Sequence, residues 1–566
     1  MEKEESELLL YAFERFNAGE YDAALEAFIL AYGRGYEPTW VLKNIYDCYM
    51  SGNEETFRTS FGQRQTGLGI LYDACILDFI PYKEGEYYIF DKEKKIFCGI
   101  FSVKELEETR PHAIFEEMEF SPAAVALDWD FRKAKSILTT ACERKIYMVC
   151  CDMERCLSFW KIPELREYLD NIQLFCGYEE FQTYFHENTS VYLPRVVYGN
   201  EEGRKELARI REEEHQYRLT PEGRNTENVL LTIAIPTANR GNLLLERMKN
   251  LLTLPYDAEV EIAITKNCNQ LYEEEYEFVS KIADARIHYY DHGKDIGFLK
   301  NWHYAVEMSC GKYVMLISDE DDVIINALEH YLKFLSSNPE LSVVRPRSTD
   351  LYRYIKERKY GKKGWDAFDV VFLTQSHFPG MIVRRKDFLE ADLLKLERYQ
   401  DNLYYKYYPH EWWCIMLSQR GDCAMEPVAL NDDSHPVCRE EEWDKLDYDP
   451  DFVPGWKPYE ARIGQFLGMV DFLQKVIKVQ DSEKFEYFLE RAIGKTTLFF
   501  EVTRATGYDP ENYPKMIDKF AQVAIEVIMG NSILDETQKK IQLANLGNWC
   551  AQLFTYDTEL EQEIIK

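Results

Sequence analysis

No uncharged apolar run in the 566 residues approaches the ~18–20 residues that a membrane-spanning helix needs. The start of the chain, Met1-Glu2-Lys3-Glu4-Glu5, is acidic and lacks the charged-then-apolar pattern of a secretion signal. The expected location is therefore cytoplasmic, with a peripheral place at the inner face of a membrane still open. Positive charge is scarce: 67 Lys and Arg face 99 Asp and Glu, for a formal charge of −32. Such a field repels phosphate surfaces and argues against a general nucleic-acid binder. Paired cysteine spacing is missing too. Fourteen cysteines are scattered, and neither Cys150-Cys151 nor Cys151/Cys156 forms a CxxC metal or redox pair, so they read as reduced thiols. Asn188-Thr189-Ser190 fits a glycosylation sequon, which means nothing without secretion. A phosphate-binding glycine loop is also absent. Gly494-Lys495-Thr496-Thr497 looks like the tail of one, but the leading glycine would fall at Leu489, inside a helical pattern.

What the chain does have is acid in an unusual place. Tyr313-Val314-Met315-Leu316-Ile317-Ser318 runs straight into Asp319-Glu320-Asp321-Asp322. A buried strand that delivers packed carboxylates to its end is costly unless a cation sits there. Hard divalent ions take one or two carboxylates and leave their other positions to phosphate oxygens. An acidic cap for a following helix, Ile325 to Leu335, is the plainer alternative, but one Asp would satisfy it.

Length alone implies roughly three or four domains. Residues 1–65 read as paired amphipathic helices; Gly19, Tyr21, Ala24, Phe28, Ala31 and Pro38 resemble the second half of a tetratricopeptide unit. One unit cannot build a solenoid, so a helical cap is expected, with a protein partner as an option. Residues 66–217 suggest an accessory α/β domain. A hairpin spans Tyr87 to Phe101, then strands (Ala123 to Leu127, Ile146 to Cys151, Ile172 to Cys176) alternate with helices (Lys133 to Cys142, Ile162 to Leu169, Tyr178 to His186). Residues 218–229 form a polar linker, 230–450 a second α/β domain, and 451–566 an acidic helical region.

Within 230–450, Leu231 to Ile235 is a strand that ends in the turn Pro236-Thr237-Ala238-Asn239-Arg240-Gly241. Val260 to Thr265 ends at Lys266-Asn267, and Asp295-Ile296-Gly297 feeds a helix containing Asn301. In open α/β sheets ligands bind beyond the carboxyl ends of strands. "IPTANR" and "DIGFLKNWHYAVEMSCGKYVMLISDEDD" resemble, in order and spacing, the motif blocks of the family 2 glycosyltransferases. That resemblance covers roughly 200 residues. It implies a Rossmann-like GT-A fold, a nucleotide-diphosphate sugar donor (usually UDP), a divalent metal (Mn²⁺ or Mg²⁺), and a glycan, lipid-linked or protein acceptor. Carried over by position, Pro236, Thr237, Asn239, Arg240, Asn267, Asp295 and Asn301 would line the donor pocket. Asp319 would approach the donor ribose or sugar, Asp321 would bind metal with Asp322 behind it, and His435 would supply a late metal or diphosphate contact. Two positions depart from the family pattern: Lys266 stands where an Asp usually reads the base, and Asp295 replaces the first Asn of the NxG turn. Lys266 is left to contact the acidic cluster, a phosphate or solvent.

Inverting transfer needs a base for the acceptor hydroxyl. By position that is Glu411 in Pro409-His410-Glu411-Trp412-Trp413, with His410 as competitor. The aromatics Tyr404, Tyr405, Tyr407, Tyr408, Trp412 and Trp413 would suit sugar stacking or a core. Phe378-Pro379-Gly380-Met381 resembles an acceptor-side loop. A basic island from Arg353 to Lys363 would face an anionic acceptor or simply solvent. The rival class is a degenerate binding scaffold; a sugar-nucleotide pyrophosphorylase would need a glycine-rich loop after the first strand, where Ala238-Asn239-Arg240 stands.

Overall fold

The computed structural model describes residues 2–63, 70–108, 120, 122–126, 137–138, 145–267, 271–349, 355–373, 378–433, 455–505 and 507–555. The chain divides into two compact units: Met1–Asn228 with Tyr256–Ala258, and Val229–Pro255 with Glu259–Lys566.

In the first unit, helices Glu2–Asn17 and Tyr21–Gly33 pair across a turn at Gly19, whose φ of +79° suits glycine. Ala24, Phe28 and Ala31 are buried, as small and aromatic residues at helical spacing require. Tyr21 differs from expectation: it is 54% exposed, its ring edge-on to Phe16, and does not fill the groove. These helices share one apolar cluster with an antiparallel meander of β1 (Leu77–Lys83), β2 (Glu86–Asp91) and β3 (Ile96–Ser102). The expected hairpin is β2–β3. Strand β1 carries Pro81, a signal against a strand that an edge position tolerates.

A parallel sheet follows in the order β6 (Ile172–Phe175), β5 (Ile146–Val149), β4 (Ala123–Ala126), β7 (Val196–Gly199). The expected helix from Lys133 to Cys142 lies mostly outside the described residues. The stretch from Ile162 to Leu169 is shorter than expected as a helix: a 3₁₀ turn, Pro163–Leu165, leads into one α-helical turn, Arg166–Leu169. An 18-residue helix, Glu201–Arg218, was not foreseen; its Asn200 cap accepts from the Gly203 N–H at 2.7 Å.

The second unit holds one mixed sheet, ordered β10 (Ile287–Asp291), β9 (Val260–Lys266), β8 (Leu231–Thr237), β11 (Tyr313–Leu316), β15 (Met381–Arg384), β13 (Leu341–Ser348), β16 (Asp422–Asp432), β12 (Asp322–Val323), with β14 (Lys359–Gly361) also on β16. β10, β9, β8 and β11 run parallel, and β15 inserts antiparallel. Every residue of β8 and β9 is buried, the mark of a sheet covered on both faces. This is the Rossmann-like α/β arrangement expected for the region.

The acids after β11 do not cap a helix. Asp322 begins β12, a turn at Ile325–Ala327 intervenes, and the helix starts only at Leu328 with no side-chain cap. Gly494 to Thr497 lie within the helix Ser482–Ala505. The C-terminal helices also include Tyr459–Asp471, Tyr513–Gly530 and Glu536–Thr555. One apolar cluster runs from Val314 and Val383 in the sheet, through Trp412 and Trp413, to Phe466, Phe472, Phe488 and Phe520. No core boundary therefore falls near residue 450. Tyr404, Tyr405, Trp412 and Trp413 are buried to within 1%, so they build this core and do not stack on a sugar.

The basic island is partly neutralised: Arg358 pairs with Glu426 at 2.6 Å and Lys362 with Asp422 at 2.9 Å, whereas residues 351–354 lie outside the described residues. Among the described residues, no helix is long and apolar enough to cross a membrane.

Phe472 packs on Trp412 with ring centroids 3.9 Å apart. Phe472→Ala should cost about 3–5 kcal/mol. Denaturant unfolding followed by tryptophan fluorescence should show it as a loss for the whole second unit, not for detached helices.

Candidate active site

The carboxyl ends of β8, β9 and β11 converge, as parallel strands in one register must. Thr237 closes β8, and its Oγ1 donates to Asp319 Oδ2 at 2.6 Å while sharing a 2.7 Å hydrogen bond with the Tyr276 hydroxyl. Tyr276 in turn accepts the Arg240 N–H at 3.0 Å. The Arg240 guanidinium lies 3.3 Å from Asp319 and pairs with Glu320. Asn239 sits at φ +56° in this turn, a conformation Asn tolerates better than most residues, and Pro236 is buried before it. Burial pushes the Asp319 carboxyl up, and Arg240 and Thr237 hold it partly down.

A second set lies at the end of β9. Asn267 donates to Asp295 at 2.7 Å and accepts the Ile296 N–H at 2.9 Å, and its own N–H bonds Thr237 O at 2.9 Å. The Gly297 N–H and the Asn267 amide hold the Asp295 carboxyl below its usual range. Asn301 is buried and donates to Thr265 O at 3.1 Å, so it ties its helix to β9. Lys266 reaches neither the acids after β11 nor open solvent. It is buried between Asp291 at 2.9 Å and Glu273 at 3.0 Å.

Asp321 is the outlier among the acids. Asp322 is held by Arg247 and lies 3.5 Å from Asn250 Nδ2. Asp433 shares Thr349 with Asp432, at 3.0 and 2.7 Å. Asp321 Oδ2, by contrast, is buried with no donor, and so is the nearby Asn431 Oδ1. Burial, with the charges of Asp433 and Asp319 added, pushes the Asp321 carboxyl up to about 7, against a hydrogen bond from Asn431. Two orphaned acceptors beside two carboxylates fit a hard cation. Gly380 backs onto this corner: its φ is +80°, and a Cβ there would meet Asn431 Cβ at 3.3 Å.

Sequence reasoning had not assigned Asn431, Asp433 or Tyr276 to the site. The run Asn431-Asp432-Asp433 was a usable signal, because it repeats the strand-into-acid pattern of residues 313–322. His435 lies outside the described residues.

Glu411 departs from expectation. It is buried at the first turn of the helix Pro409–Ser418; one oxygen takes Lys495 Nζ at 2.9 Å and the other the Tyr404 hydroxyl. Lys495 comes from the C-terminal helices and also donates to Leu373 O at 3.1 Å. Burial lowers its ammonium's pKa, against the pull of Glu411. With both oxygens engaged, Glu411 is a buried ion-pair partner in this structure and not a free base. His410 is buried among Trp302, Phe378 and Tyr408.

Among the described residues, Glu261, His288 and Cys310 also form a group able to hold a metal ion. They stand at the amino ends of the strands, away from Asp321.

The sequence model described as "Glycosyl transferase family 2" matches residues 232–390. Residues 232–390 are a family 2 glycosyltransferase domain. Extra α/β and helical regions flank it. WcaA of Escherichia coli K12, whose name assigns it to colanic acid biosynthesis as a glycosyl transferase, is 29% identical over 105 residues, 19% of this chain and 37% of WcaA. The chain thus spans little more than a third of that relative. Among solved structures, S. aureus TarS residues 1–349 with UDP-GlcNAc aligns at 13% identity and a TM-score of 0.39, covering 58% of this chain and 91% of that one. The mannosyltransferase PcManGT from Pyrobaculum calidifontis, with GDP-Man and Mn²⁺, aligns at 12% and 0.31, covering 66% and 97%. At these values the two structures carry no residue-level argument.

Two outcomes follow from the geometry. Asp321 holds its proton more readily folded than unfolded (ordinary value 3.8), so the fold is penalised above pH ~7 and relieved as pH falls towards ~4, by at most about 4 kcal/mol. Calorimetric melts in chelator should therefore show Asp321→Asn more stable than the parent at pH 8, with the gap narrowing as pH falls below ~7 and closing near pH ~4. Lys495→Met strands a buried carboxylate and should cost about 3–5 kcal/mol, much of it recovered in the Glu411→Gln/Lys495→Met double variant.

Proposed function

We propose that the chain moves a sugar, with inversion, from a nucleotide-diphosphate donor, UDP-linked in the first instance, to a glycan, lipid-linked or protein acceptor. The carrying observation is the pair of donorless buried oxygens, Asp321 Oδ2 and Asn431 Oδ1, beside Asp433. Asp321, Asp433 and Asn431 would hold Mn²⁺ or Mg²⁺, with His435 a further candidate by sequence position. When bound, the ion neutralises the diphosphate leaving group.

The chain's own residues do the rest. Thr237 and Arg240 fix the Asp319 carboxylate, which would meet the ribose or sugar of the donor. Asn267 and Asp295 hold the rim at the end of β9, where the nucleoside would lie. Arg240, already near two acids, also offers charge to a phosphate. Pro236 and Asn239 shape the turn that brings it there.

The acceptor proton needs a base, and sequence position assigns Glu411. To serve, it must release Tyr404 or Lys495, so this pair sets its availability. A cytoplasmic place, or a peripheral one at the inner face of a membrane, belongs to the same reading. So does a protein partner for the N-terminal helices, and nucleic acid is no part of it. A donorless scaffold remains the rival, favoured by Lys266, which replaces a base-reading Asp and is locked by Asp291 and Glu273.

Calorimetry with UDP-, GDP- and dTDP-sugars plus Mn²⁺ separates the two: heat with one donor class supports transfer, and none with any supports the scaffold. Asp321→Ala should lose at least about 100-fold of metal-dependent transfer. In the parent, apparent Mn²⁺ affinity should fall as pH drops below about 7, where protons compete for Asp321.

A further inference from the structure

The amino ends of the strands carry a second constellation that the donor pocket does not use. Glu261 lies near the start of β9, His288 near the start of β10, and Cys310 in the connection that leads into β11. One ligand atom of each lies within 4.8 Å of the others. Thr237, Lys266 and Asp319 mark the opposite ends of the same strands. From Thr232, the neighbour of Glu261, to Thr237 is five residues, or ~17 Å of strand. The two places are separate.

Glu261 is fully buried, and its carboxylate is held in one orientation. Oε2 accepts from Thr232 Oγ1 at 2.6 Å and from the Cys310 N–H at 2.7 Å. Oε1 is turned towards His288 Nδ1 at 2.8 Å. Both donors on one oxygen leave the other for a cationic partner. The His288 side chain is 34% exposed and Cys310 is exposed, so an ion has a route in. Strand pairing fixes the spacing: His288 lies opposite Ala263, two residues along β9 from Glu261.

We propose that Glu261, His288 and Cys310 form a site for a borderline-soft divalent ion, Zn²⁺ before others, distinct from the donor pocket. One carboxylate oxygen, one imidazole nitrogen and one thiolate are three of the four ligands that tetrahedral zinc takes, with the exposed side left to water. The thiolate disfavours Mg²⁺ and Mn²⁺, so the site would not compete for the donor's ion. Thr232 and the Cys310 amide are the outer contacts that orient a metal carboxylate. Binding forms bonds to Glu261 Oε1, an imidazole nitrogen and Cys310 Sγ, and the protons held by imidazole and thiol leave to solvent. The ion would clamp the end of the Phe298–Met308 helix to β9 and β10.

The test uses the full chain, stripped with chelator and then titrated with Co²⁺ and, against a chromophoric competitor, with Zn²⁺. The expected result is one tightly held ion with a near-ultraviolet thiolate-to-cobalt band that Cys310→Ser abolishes. His288→Gln should weaken zinc binding at least about tenfold, and Asp321→Ala should leave it unchanged. Zinc should also raise the melting temperature of the parent but not of His288→Gln. Cys310 is exposed and His288 partly so, and a cooperative metal-free melt with parent-like circular dichroism confirms that each variant folds. A cobalt band that survives Cys310→Ser, or equal zinc affinity in the parent and His288→Gln, overturns the site and leaves Glu261–His288 as a plain ion pair.

Discussion

Carboxylates gathered where water is scarce must be balanced one at a time, and that constraint organises the second unit. Arg240 serves Asp319 and Glu320, Arg247 serves Asp322, and Thr349 serves Asp432 and Asp433. Each partner comes from a different element: the turn after β8, the helix Gly241–Leu251, and the end of β13. The sheet is thus arranged so that each of these acids has a protein donor, whereas Asp321, hydrogen-bonded to Asn431, keeps Oδ2 without one. That omission costs stability and is the kind of local deficit expected where a ligand completes the structure.

The C-terminal helices belong to the same physical object. Their aromatic faces close over the helix Pro409–Ser418, and Lys495 places an ammonium next to Glu411 inside that core. A buried pair of this kind contributes little net stability, because desolvation offsets attraction, but it strongly disfavours losing one partner. It therefore fixes where the Pro409–Ser418 helix can sit relative to the sheet. Residues beyond the family 2 domain thereby control the surroundings of a carboxylate that sequence position had assigned to catalysis.

Much of the sheet was readable in the chain because its strands are continuous apolar runs ending in polar turns. Leu231 to Arg240 and Tyr313 to Asp322 show both signals, and the structure brings Thr237, Arg240 and Asp319 together there. What escaped was decided by long-range packing. Nothing near Lys266 in sequence announces Asp291, which reaches it through β9–β10 pairing. Nothing near Trp412 distinguishes a sugar platform from a core, since both want flat apolar faces; Phe472, 60 residues later, packs on it and makes it core. Tyr21 failed for the opposite reason: a groove exists only when a neighbouring repeat supplies its other wall. Glu201–Arg218 hid behind its charge, being anchored by a few buried positions such as Leu207 and Ile210.

Among the described residues, strand β12 meets the sheet through β16 alone, where Asp322 lies opposite Asp432. The two segments bearing Asp321 and Asp433 are distant in sequence, so loop closure must bring them together late in folding. On a ribosome the corner cannot assemble until the chain has emerged past residue 433, more than a hundred residues after Asp321 is made. Until then Asp321 lacks Asn431 and Asp433, the other groups of the corner, so a growing chain would hold no ion there.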